Sequence, residues 1–337
     1  IGAPGQLTLG AIAAMLVGVY CPGPGWLVLP LAIAAAALGG ALWGAIPGWL
    51  KAHFGTHEVI NTIMLNYIAA SLFLFLLGAN QYTFFGQTIT LPFKAPGSEA
   101  RSAEIQPTAQ IPMLLPLLGI RDGVWDPTLV LVVAGLGLGW LLSRQRKILG
   151  LILGGILGGL VGWLLPPIPV TVPPAIATVR LNGSFILALL ALLAVHVYLW
   201  HTQGGYELRA MGFSPPAAAY GGVNLNWQIV WVMALSGSLA GLAATHYVLG
   251  GGIDEYRLKQ SLPVSVGFDG IAVALMGQNQ PLGIALTALL FGVLLTGGLQ
   301  VNLELGISRE LVTALQALVI LVMAAGGFLP RYFTDPL

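Results

Sequence analysis

Apolar runs near 20 residues long recur along this chain, each free of charge or nearly so. LVLPLAIAAAALGGALWGAIPGWL at 27–50 and SFILALLALLAVHVYLW at 184–200 carry no Asp, Glu, Lys or Arg. A helix rising about 1.5 Å per residue crosses about 30 Å of hydrocarbon in about 20 residues, so such runs read as membrane spans. The composition agrees: 7% of the 337 residues are charged, against roughly a quarter in soluble domains.

Counting the runs predicts about ten segments, at roughly 2–20, 27–50, 57–77, 127–142, 148–165, 184–201, 226–249, 264–277, 281–298 and 310–329. Those at 127–142 and 264–277 are short. GFDGIAVALMG, with two early glycines and a charge, reads as a half-helix or broken helix. The long stretch at about 78–126 reads as an extracytoplasmic loop. Placing 204–224 in the cytoplasm also puts Lys51, the SRQRK cluster at 143–147 and Arg331 there, giving about a twofold basic bias. The chain opens at Ile1 inside an apolar segment, which leads us to expect a missing N-terminal portion.

LWGAIPGWLKAHFGTHEVINTIMLNYIAA at 42–70 aligns loosely with LFGVLLTGGLQVNLELGISRELVTALQALVILVMAA at 290–325, and IGAPGQLTLGAIAA is similar to VGFDGIAVALMG. By the topology above, the copies run in opposite senses, and inverted repeats of this kind are typical of transporters. The expectation is therefore an all-α polytopic membrane protein of about ten transmembrane segments, with an inverted internal repeat and broken helices. Gly40, Gly44 and Gly48 recur every fourth residue, as do Gly150, Gly154, Gly158 and Gly162, a spacing that lets neighbouring backbones approach closely.

Two stretches place polar groups inside apolar helices. In THEVINTIMLNYIAA at 56–70, Asn61 falls about 60° to one side of Glu58 and Asn66 about 80° to the other. All three can share the interior half of one helix. Glu58 either lines a wet cavity or suits the helix start as a negative charge; Asn61 and Asn66 suit interhelical hydrogen bonds or solute. In GFDGIAVALMGQNQP at 267–281, Asp269 either meets a ligand at a freed helix end or caps its own helix. Gln6, Gly270, Gln278 and Asn279 complete the candidate translocation set.

The net charge of +1 gives no case for nucleic acid, and no basic cluster suggests one. Cys21 is the single cysteine, no GxxxxGK[ST] or HExxH occurs, and His53, His57, His196, His201 and His246 have no metal-ligand spacing. An enzyme, or a resident cofactor, has nothing to stand on.

GGYELRAMGFSPPAAAYGGVN at 204–224 is too interrupted by Pro215 and Pro216 to cross a bilayer, yet it carries Glu207 and Arg209. With IGAPGQLTLGA at 1–11, GWLKAHFGTHEVINTIMLNYIA at 48–69, SGSLAGLAA at 236–244 and GFDGIAVALMGQNQPLGIALTALLFG at 267–292, it resembles the membrane permeases of ABC importers in the nucleoside and simple-sugar group. This is the branched-chain amino-acid/ribose type of the bacterial or archaeal inner membrane. The resemblance implies a single permease domain over 1–337 that pairs with a second permease subunit, docks two cytoplasmic ABC ATPases and receives solute from an extracytoplasmic binding protein. It implies that Glu207, Leu208, Arg209, Ala210, Met211, Gly212 and Phe213 form the ATPase-coupling helix within a cytoplasmic region at 203–222, with Pro215–Gly222 leading back into the membrane. Family members carry one or two helices before IGAPGQ, and 121–180 looks like an added helical hairpin. A secondary transporter or channel is the rival; Asp269 would be its coupling carboxylate.

Overall fold

The computed structural model describes residues 2–79, 81–84, 87–90, 93–96, 99–114, 120–121, 124–125, 131–132, 155–161, 168–169, 181–251, 255–260, 262–263 and 266–306, with single positions between 308 and 318. Nine helices are named here: α1 (Ala3–Tyr20), α2 (Gly25–Phe54), α3 (Glu58–Gly78), α4 (Ser184–His201), α5 (Gln203–Phe213), α6 (Pro215–Tyr220), α7 (Leu225–Val248), α8 (Val266–Met276) and α9 (Pro281–Leu305). Six of them, α1 to α4, α7 and α9, are long and apolar enough to cross a membrane. The spans are helical, as expected. Strands among the described residues are short: Gln81–Phe84 pairs antiparallel with Gln87–Thr90, and Ile120–Arg121, Val124–Trp125 and Ile168–Pro169 form a small second sheet.

Seven of the ten expected segments coincide with helices. Those at 127–142, 148–165 and 310–329 lie largely outside the described residues, as do SRQRK, Arg331, most of the 121–180 hairpin and the C-terminal part of the second repeat copy. Two helices run further than their apolar cores suggest. α2 continues to Phe54 and α9 to Leu305. Each ends where a glycine takes a left-handed conformation, Gly55 at φ 65° and Gly306 at φ 65°, which costs glycine nothing.

The centre of the molecule is a three-helix crossing of α1, α2 and α7. α2 runs antiparallel to both neighbours: Gly10 faces Ala36, and Gly48 faces Val230. A Cβ added at Gly40 would land on the Gly237 carbonyl oxygen, and one at Gly241 on the Ala36 carbonyl oxygen. The predicted stripe of Gly40, Gly44 and Gly48 is therefore a contact surface, and its counterpart is Gly237 and Gly241 on α7. In lipid such close approach replaces the hydrophobic drive that water would supply. Gly158 of the second stripe packs on the Leu131 carbonyl, while Gly150, Gly154 and Gly162 lie outside the described residues.

One end of the bundle carries a cap. Residues 99–114 and 255–262 exchange backbone bonds, Ser102 N–H to Leu258 O at 2.8 Å and Ile105 N–H to Tyr256 O at 2.9 Å. Gln106 N–H reaches Gly18 O and Ile111 N–H reaches Leu249 O, which satisfies the free carbonyls at the ends of α1 and α7. Ile105, Ala109, Ile111 and Leu258 are buried together with Met15, Val28 and Val248. The other end carries Lys51, Glu58 and the short helices α5 and α6, since the C-terminal half of α2 packs against the N-terminal half of α7.

Candidate functional site

Three polar caps in series turn the chain between α4 and α7. Thr202 accepts a bond from Gly205 N–H at the start of α5, Ser214 from Ala217 N–H at the start of α6, and Asn224 from Trp227 N–H at the start of α7. Each cap satisfies a helix N–H that would otherwise lack a partner. Pro215 and Pro216 lie at the join of two helices. Besides ending one helix they open another, because proline in a first turn loses no intrahelical bond.

Along α5 the seven residues expected to form the coupling helix do not share one environment. Leu208, Arg209, Ala210 and Met211 are half-buried, while Gly212 and Phe213 are exposed. Glu207 accepts from Gln203 Nε2 at 3.0 Å and from Gln228 Nε2 of α7 at 2.6 Å. The Arg209 guanidinium lies 4.4 Å from the ring centroid of Trp200 on α4. Both charges thus face the bundle. What projects outward is aromatic: Phe213 is 92% exposed, Tyr220 97% and Tyr206 65%.

A polar cavity of about 250 Å³ opens at the N-terminus of α1, lined by Gly2, Ala3, Gln6, Glu58, Val59, Thr62, Met233 and Ser236. Met233 and Ser236 lie 8 and 11 residues into α7, about 12–16 Å along its axis. The first turn of α1 therefore begins well inside the bundle. Gly267, in the first turn of α8, packs against Ala3 and Pro4 of α1. The two N-terminal turns meet beside the cavity. α8 itself has 11 residues, about 16 Å, so it is a half-helix of the kind its glycines suggested.

Of the predicted translocation residues, the structure brings Gln6 and Glu58 together and disperses the rest. Glu58 pairs with Lys51 at 3.0 Å, both side chains being partly exposed at the mouth. Asn61 donates to Thr56 Oγ1 at 2.6 Å, and Asn66 accepts from Gly5 N–H at 2.9 Å. Asn66 thereby serves a free donor in the first turn of α1, whose own cap residue Gly2 has no side chain to offer. Asp269 is not a cap, because α8 begins at Val266 and places it inside the first turn, where its negative charge suits the helix dipole. Asp269 and its neighbour Gly270 are exposed. Gln278 and Asn279 sit beyond the other end of α8, in left-handed backbone at φ 53° and 55°.

Sequence reasoning missed Thr62 and Ser236. Thr62 follows Glu58 by four residues, so helical spacing alone puts it on the Glu58 face. Its hydroxyl donates back to Val59 O at 3.1 Å. Ser236 opens the SGSLAGLAA stretch and offered no comparable signal.

The family described as branched-chain amino acid transport system / permease component matches residues 1–324. The guanosine ABC transporter permease protein NupP of Bacillus subtilis (strain 168) is 32% identical over 325 residues, covering 96% of this chain and 73% of that protein. The nucleoside ABC transporter permease protein NupB of Lactococcus lactis subsp. cremoris (strain MG1363) is 29% identical, covering 96% and 71%. The glucose ABC transporter permease protein TsgB13 of Haloferax volcanii is 28% identical, covering 98% and 70%. No solved structure matches the chain.

Proposed function

The chain belongs to the family of branched-chain amino acid transport system permease components, and on that premise we propose that it carries a nucleoside across a bacterial or archaeal inner membrane. It is a multi-pass permease of the ABC importer class, a transport subunit rather than an enzyme. No finding supports a secondary transporter or channel. Its family works with an ATPase and a solute-binding protein.

The observation that carries the choice of solute is the cavity. Gln6, Thr62 and Ser236 offer neutral hydrogen-bonding groups, and the one carboxylate beside them, Glu58, is paired with Lys51. Such a lining suits an uncharged polar molecule: a charged one would lose its hydration with no counter-charge left to meet it. Two of the relatives named above carry nucleosides, and the third carries glucose.

In this reading the end of the bundle bearing α5 and α6 is cytoplasmic, residues 203–222 dock the ATPase, and the loop over about 78–126 faces the binding protein. Closure of the ATPase pair would move α5 and open the path to alternate sides. A second permease subunit, identical or related, completes the pathway.

The test is ATP-dependent uptake of radiolabelled guanosine by proteoliposomes holding the whole transporter with its binding protein. Uptake competed by excess unlabelled nucleoside but not by glucose is expected. Glucose accumulation without guanosine accumulation would overturn the assignment.

A further inference from the structure

At the foot of α7, Gln228 is buried, 5% exposed, although it lies 3 residues inside the helix start at Leu225. A glutamine withdrawn from solvent at a helix end must find partners or leave polar atoms unpaired. Its amide nitrogen donates to Glu207 Oε2 of α5 at 2.6 Å, a short bond to a charged acceptor. Its Oε1 is buried without a hydrogen-bond partner. Its side chain is held there by one hydrogen bond, and that bond crosses from the short helix to the long one.

Neighbouring contacts leave α5 little freedom to move alone. A Cβ at Gly205 would strike the Tyr198 carbonyl and Leu199, so α5 starts hard against the end of α4. Arg209 stacks over Trp200, and Trp231 Nε1 donates to the Tyr198 hydroxyl at 2.9 Å, joining α7 to α4. Further along, α7 contributes Met233 and Ser236 to the polar cavity, and Gly237 and Gly241 to the close crossing with α2. A straight path of one helix therefore runs from Gln228 to the cavity wall.

We propose that the Glu207–Gln228 hydrogen bond is the tie that transmits motion of α5 into α7 and so to the cavity. Gln228 is a positioning residue that touches neither ATPase nor solute. The proposal rests on the reading of α5 as the ATPase-coupling helix. Displacing α5 pulls on Glu207, Gln228 follows, and α7 shifts as a rigid rod against the glycine crossing. The Arg209–Trp200 stack holds α5 to α4 and gives the motion its pivot.

The test uses the assembled transporter in proteoliposomes with its binding protein, comparing Gln228→Met with the wild type. Methionine keeps the length and removes the donor. The expected result is a bound ATPase that still hydrolyses ATP, with guanosine moved per ATP reduced about tenfold, within the range of couplings carried by such links. The reciprocal pair Glu207→Gln with Gln228→Glu keeps one amide and one carboxylate, and restores most of the lost transport. Undiminished transport by Gln228→Met overturns the proposal, as does loss of the ATPase from that variant or failure of the reciprocal pair to recover. If the wild-type permease itself retains no ATPase, the coupling reading falls and takes the tie with it.

Discussion

Replacing Gly241 with alanine should weaken the protein far more than the same change at Gly212. At Gly241 a new Cβ would overlap the Ala36 carbonyl oxygen and lie 3.2 Å from Gly40 Cα, while Gly10 approaches from the third helix so closely that its own Cβ would be 2.5 Å from Gly241 Cα. Every obstacle is backbone. No side chain can swing aside, so α2 and α7 must part. A radial gap of about 0.5–1 Å forfeits a quarter to a half of the dispersion attraction across it, and overpacking of this kind costs about 1–3 kcal/mol. Alanine also gains about 1 kcal/mol of helix propensity over glycine, and that gain is common to both sites. At Gly212 nothing lies within 4 Å of the added atom. The difference between the two variants therefore isolates the packing penalty, about 1–3 kcal/mol by the same figure. Thermal unfolding of the purified permease in detergent, followed by tryptophan fluorescence, reads it out. Gly212→Ala should melt at or above the wild type and Gly241→Ala several degrees below. Equal melting would show that the glycine crossing does not hold α2 to α7.

Three further outcomes are expected. Gly212→Trp should fold, because the position is open, but the bulk beside exposed Phe213 should keep the ATPase from co-purifying. Arg209→Glu should lower the melting temperature as well as uptake, since it removes a cation–π contact worth about 0.5–2 kcal/mol and sets a carboxylate over the Trp200 ring; unaltered melting would count against the inward seat of Arg209. Ser236→Leu should fill part of the 250 Å³ cavity, cutting guanosine uptake in proteoliposomes while the ATPase stays bound.

The spans were legible because crossing a bilayer is set by length and polarity, both properties of a run of residues. The stripe of Gly40, Gly44 and Gly48 was legible too, since small residues at that spacing have few physical uses in lipid. Its partners were not. Nothing local in Gly237 or Gly241 says that they meet α2, because pairing between helices depends on the whole bundle. The arithmetic that put Glu58, Asn61 and Asn66 on one half of α3 was sound as geometry and insufficient as chemistry. Each side chain bonds a different neighbour: Lys51 on α2, Thr56 in the loop before, and Gly5 on α1. Polar groups near a helix end go to the closest unsatisfied partner, and those partners belong to other elements.

Glu207 and Arg209 pose the sharper case. A charge on a short helix outside the spans reads as a solvated contact for another protein, yet here both charged groups turn toward α4 and α7. The physical reason lies in what surrounds them. The ends of α4 and α7 supply the face of Trp200 and Gln228, which lie within reach of the Arg209 guanidinium and the Glu207 carboxylate. With its charges so engaged, α5 leaves the outer surface to Phe213, with Tyr206 on its flank and Tyr220 beyond on α6. Large rings of this kind carry most of the binding energy where proteins dock, because they bury much area with few rotamers to freeze. On the reading of α5 as the ATPase contact, the charges would fix the helix to the membrane body and the rings would be left to meet the partner. On that reading, a docking force applied at Phe213 would reach the bundle through Glu207, six residues earlier and about 120° around the same short helix.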